Sequence, residues 1–114
     1  LVTSVTILPP VLATDDTVNL AFGNVSQAGG SVTQTFQVLN SGQSTLDWAI
    51  VTAGLPAWIE SILPGSGTTI NGEIDVVSVT VDPTAVATGS YNTAFNLLSD
   101  GGNQSVPVSV TVVP

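Results

Sequence analysis

The sequence has no lysine, arginine, histidine, cysteine or methionine. Its only charged side chains are eight acids, 7% of 114 positions, where about 25% is usual for a soluble domain. The formal net charge is −8. Each absence removes a class of chemistry. Without cations the chain cannot displace counterions from phosphate, so nucleic acid is excluded as a partner. Anionic membrane surfaces are excluded for the same reason. Without His, Cys or Lys there is no Ser-His pair, no thiolate, no Schiff base and no His- or Cys-built zinc site. No ordinary salt bridge or disulfide can staple the fold. No run approaches 18 uninterrupted apolar residues, so no membrane insertion is expected. The chain reads as non-enzymatic, with no cofactor.

What is present is β-forming. Val, Ile and Thr supply about a third of the residues. They are stiff at χ1 and favour a pleated strand. Apolar and polar positions alternate with period 2 in several windows. Val32, Phe36 and Val38 share one side of 31–39, and Leu46, Trp48 and Ile50 share one side of 45–50. Val77, Val79 and Val81 repeat the pattern, as do Tyr91, Thr93, Phe95 and Leu97. Val106, Val108, Val110 and Val112 close the series, and Val18, Leu20 and Phe22 give a shorter case. Turn signals separate these runs: Gly29-Gly30, Asn40-Ser41-Gly42, Pro64-Gly65-Ser66-Gly67, Asn71-Gly72 and Asp100–Asn103. Short strands at such spacing, apolar on one side, predict two antiparallel sheets packed face to face. Pro107 cannot donate to a ladder, so its strand is expected at an edge or at a bulge.

The N-terminal segment stands apart. Residues 1–8 (LVTSVTIL) have strand composition, and Pro9-Pro10 with Val11-Leu12-Ala13 follows as a stiff apolar linker. The chain therefore divides into residues 1–16, an N-terminal strand and linker, and residues 17–114, the sandwich. The strand pairs either at home or with a neighbouring molecule.

The main body resembles a bacterial and archaeal surface module. The resemblance is carried by 19–25 (NLAFGNV), 29–42 with its TQTFQVLNSG core, Leu46-Asp47-Trp48, Pro56-Ala57-Trp58-Ile59 and the 64–68 turn. The closing runs are 79–84 (VTVDPT), Gly89-Ser90-Tyr91, 99–102 (SDGG) and 106–112 (VPVSVTV). This pattern is similar to BACON-type immunoglobulin-like domains, and its opening also resembles the ASPM/SPD-2/Hydin group. The resemblance covers about residues 17–113. It implies an immunoglobulin-like antiparallel β-sandwich of about seven strands plus an extra N-terminal strand. It also implies a surface or secreted setting, in which such modules act as spacers or bind carbohydrate.

Leu1 reads as the start of a mature chain after signal-peptide removal, and a surface without Lys or Arg suits an extracellular location. Asn24 and Asn103 open two N-glycosylation sequons. Asp15-Asp16, Glu73 with Asp75, and Asp100 with Asn103 are fragments of calcium-ligand chemistry, but none matches a calcium loop. No carboxylate spacing indicates a glycosidase pair. Asn71-Gly72 and Asp82-Pro83 are chemical weak points, open to deamidation and acid cleavage.

Three functions fit. The first is a structural subunit of an extracellular filament, pilus-like or matrix-forming. In it, Leu1, Val2, Val5, Ile7, Leu8, Pro9 and Pro10 form the subunit interface by strand addition to another copy. Such a head-to-tail contact gives an open homopolymer. The second is a carbohydrate-binding module with Trp58 or Tyr91 exposed to glycans. The third is a spacer or decoration domain of a larger surface or virion protein.

Overall fold

The computed structural model describes residues 7–14 and 19–114. Among the described residues nine strands run in chain order: β1 (Leu12–Thr14), β2 (Leu20–Ser26), β3 (Val32–Asn40), β4 (Leu46–Ile50), β5 (Ile59–Leu63), β6 (Ser66–Thr69), β7 (Ile74–Val81), β8 (Gly89–Ser99) and β9 (Gln104–Val113). They form two sheets, ordered β1-β3-β7-β5 and β2-β9-β8-β4-β6. All neighbours are antiparallel except β2 and β9, which run parallel. The architecture is the expected β-sandwich.

The alternation read from the sequence sets the core. Phe36 and Val38 of β3, Val77, Val79 and Val81 of β7, and Phe95 and Leu97 of β8 point inward. So do Val106, Val108, Val110 and Val112 of β9. Phe36 and Phe95 meet across the two sheets, ring centroids 6.0 Å apart and tilted by 40°. Each such side chain contributes roughly 1.5–3 kcal/mol by leaving water, which holds the sandwich without ion pairs. Buried polar groups are matched. The Trp48 indole N–H donates to Thr69 Oγ1 at 3.0 Å, and that hydroxyl donates to Asp75 Oδ2 at 2.5 Å.

Several expectations are corrected. The apolar linker Val11-Leu12-Ala13 does not run free: Leu12–Thr14 is strand β1, paired with Val38–Asn40 of β3. Ile7–Val11 belong to no strand, and residues 1–6, most of the expected N-terminal strand, lie outside the described residues. So do the boundary at residue 16 and Val18. The strand carrying Pro107 is not an edge, because β9 sits between β2 and β8. Pro107 is tolerated because pairing with β2 starts one residue later, at Val108. The bulge lies instead on β2, between Ala21 and Asn24, where Gly23 takes a φ of 66°. Two strands, β5 and β6, come from a stretch that showed no regular alternation.

Candidate subunit interface

The strand ends define two poles. One carries the 41–45, 70–73 and 100–103 loops together with the N-terminal segment. The other carries the 27–31, 51–58 and 82–88 loops and the C-terminus.

At the first pole, Leu8–Leu12 pass through a slot. Its walls are the turns containing Gly42 and Gly101. A Cβ on Gly42 would lie 2.3 Å from the Pro9 carbonyl oxygen and 2.6 Å from the Val11 nitrogen. A Cβ on Gly101 would lie 2.8 Å from the Pro10 oxygen and 2.7 Å from Leu46 Cδ1. Neither glycine has a positive φ, so what each provides is room for another stretch of backbone.

Main-chain hydrogen bonds hold the segment there. Ser44 Oγ donates to the Leu8 carbonyl at 2.6 Å, and the Gln43 N–H donates to Pro9 O at 3.2 Å. The Ser41 N–H donates to Val11 O, and the Leu12 N–H donates to Gly101 O, each at 3.0 Å. Asn40 is the hub. It is 3% exposed and uses every hydrogen-bonding position of its amide. Its Oδ1 accepts from Val11 N at 3.1 Å and Gly42 N at 2.9 Å. Its Nδ2 donates to Ser44 O at 2.6 Å and Thr69 O at 3.0 Å. Pro9 is therefore tied at home rather than spanning between molecules.

The segment leaves the slot apolar and uncovered. Ile7 is 82% exposed, and Leu8 and Val11 are also exposed. Ile70 is exposed at the same pole, and Leu63, Ile74 and Val76 are exposed beside it on β5 and β7. Of the predicted interface residues, the structure thus places Ile7, Leu8, Pro9 and Pro10 at this pole; Leu1, Val2 and Val5 lie outside the described residues.

The other candidate residues lie elsewhere. Trp58 is 3% exposed and packs on Tyr91, centroids 6.3 Å apart, so it presents no face to a sugar. Tyr91 is half-buried, and its hydroxyl donates to Ala87 O at 2.9 Å. Asn24 is exposed on β2, and Asn103 is exposed in the β8–β9 turn, where its Oδ1 accepts from Ser99 N at 3.2 Å. No group of three acids that could hold a metal occurs among the described residues. Asp47 and Asp100 flank a shallow depression of about 390 Å3 beside Trp48, but Asp100 Oδ1 there accepts the Asp47 N–H. Among the described residues, no helix is long and apolar enough to cross a membrane.

Comparisons fix the class. No family model and no curated protein matches the sequence. Solved structures do match. The ASH/PapD-like domain 7 of human CEP192 superposes with a TM-score of 0.76 at 16% identity, covering 99% of this chain and 93% of that one. A chaperone–tip adhesion subunit complex of Acinetobacter baumannii Csu pili gives 0.65 at 9% identity, covering 90% and 57%. The Pseudomonas aeruginosa CupB2 chaperone gives 0.64 at 10% identity, covering 88% and 55%. The chain spans only about half the length of those two bacterial proteins. The fold is thus that of PapD-like, immunoglobulin-like β-sandwiches. The BACON-type resemblance is matched at the level of that fold and no finer.

Proposed function

We propose that the chain is a structural subunit of an extracellular filament, joined head to tail by strand addition. The N-terminal arm, residues 1–7, leaves one copy and pairs with a sheet edge of the next. The observation that carries this reading is the slot: it grips Leu8–Leu12 by main-chain bonds and releases the chain at Ile7, apolar and 82% exposed. Main-chain bonds supply affinity in such contacts, and alternate side chains supply register. Paired as a strand, the arm would carry apolar Leu1, Val5 and Ile7 on one side. The fold shared with pilus chaperones is compatible with this role, though at 9–10% identity it supports architecture alone. The buried ring of Trp58 offers the glycan-binding reading no support.

The test is negative-stain microscopy of the untagged chain beside a variant lacking residues 1–7. Filaments from the first and monomers from the second are expected. A full chain that stays monomeric at high concentration overturns the reading.

A further inference from the structure

Strand addition needs an acceptor edge, and the described residues leave several stretches of strand unpaired. β8 is eleven residues long. On one side β9 accompanies it from Gly89 to Leu97. On the other, β4 pairs only with Leu97, Leu98 and Ser99, and the Val51 N–H adds one bond to Asn96 O. Gly89–Phe95 therefore has no strand on that side among the described residues. This stretch is seven residues long, and the strand-forming residues 1–7 lie directly before Leu8, whose carbonyl the slot holds. The stretch offers a pairing length of about 24 Å at the usual strand rise.

We propose that Gly89–Phe95 of β8 is the acceptor edge, filled antiparallel by residues 1–7 of the preceding copy; this rests on the strand-addition reading above. Direction supports the assignment. Gly89 lies at the pole opposite the slot, beside Val112. An arm leaving the slot pole of one copy enters a head-to-tail neighbour at that opposite pole. It then runs against β8, in the more stable antiparallel sense.

Chemistry agrees with the register that sets Ile7 opposite Gly89. Leu1, Thr3, Val5 and Ile7 then share the side of half-buried Tyr91 and Thr93 and buried Phe95. Val2, Ser4 and Thr6 share the solvent side with exposed Ser90, Asn92 and Ala94.

Rival edges fit less well. β2 is also seven residues long, but it is bulged after Ala21 and would receive the arm in the parallel sense. The unpaired part of β7, Ile74–Val77, is four residues long and lies at the slot pole itself. The edge of β3 over Val32–Gln37 is six residues long and continues the edge that the chain's own β1 occupies at Val38–Asn40.

The lack of native cysteine gives a clean test. Three full-length variants are compared under mild oxidation: Ser4→Cys with Asn92→Cys, Ser4→Cys with Val76→Cys, and Ser4→Cys alone. The first pair should give a ladder of covalent oligomers on denaturing gels, while the second should give none above the dimer seen with Ser4→Cys alone. Filaments by microscopy with a ladder from the Val76 pair, or from neither pair, overturn the edge assignment and leave strand addition standing. Absence of filaments from the unmodified chain overturns both.

Discussion

The two poles of the sandwich are closed by opposite means. At the slot pole, side chains of the body reach out to the backbone of a segment from far away in sequence: Asn40 to Val11, and Ser44 to Leu8. At the other pole, loops are stitched to one another. Gln27 Nε2 donates to Val86 O at 2.8 Å, Ser31 Oγ donates to Glu60 Oε1 at 3.2 Å, and the Asp82 N–H donates to Trp58 O at 2.9 Å. Asp82 Oδ1 also accepts from the Thr84 N–H and hydroxyl, capping a short 3-10 turn over Pro83–Ala85. Ile7, Leu8, Val11 and Ile70 are exposed at the first pole, whereas the bonds of the second leave Trp58 buried. One end is built to hold a segment, the other to seal the core.

Substitutions can break that contrast. Asn40→Ala leaves the Val11 and Gly42 N–H groups and the Ser44 and Thr69 carbonyls without their amide partner. It should lower stability by about 3 kcal/mol, since each stranded buried group costs about 1–3 kcal/mol. Urea denaturation measures this, and hydrogen exchange should show lost protection at Val11 and Leu12. Gly42→Val drives a side chain into Pro9 and Val11 and should cost about 2 kcal/mol, near 8 °C in Tm for a domain of this size. The segment should leave the slot while the core stays folded, which limited proteolysis after Ile7 would reveal.

At the sealed pole the effects are smaller. Asp82→Ala removes a cap and should cost about 1 kcal/mol without altering exchange at Val11. Ser31→Ala loses one exposed bond and should change stability by less than about 0.5 kcal/mol in the same urea titration. Equal costs for Asn40→Ala and Asp82→Ala would remove the distinction between the poles.

The sequence made the sheets readable because period 2 is written in Val, Thr and Phe along β3, β4, β7, β8 and β9. It hid β5, because a bulge between Ile59 and Ser61 brings Ile59 and Ile62, three apart, to the same side. It hid β1, because three residues are too few to alternate. The slot was hidden for another reason. Gly42 and Gly101 look like ordinary turn glycines, and Asn40 looks like a turn residue. What requires them is the backbone of Leu8–Leu12, brought there only by the completed fold. The apolar character of Ile7 and Leu8 was legible from composition alone, whereas the hold of Ser44 on the Leu8 carbonyl was not.

The four bonds of Asn40 also impose an order of events. Its partners come from the segment before β1, the turn after β3, and the end of β6. Such distant groups meet late in folding, because long loops must close first. The slot therefore exists only after β3 and β6 have come together, and only then is the Leu8–Leu12 backbone held in place. On the strand-addition reading proposed above, readiness to polymerise would report that the body has finished folding.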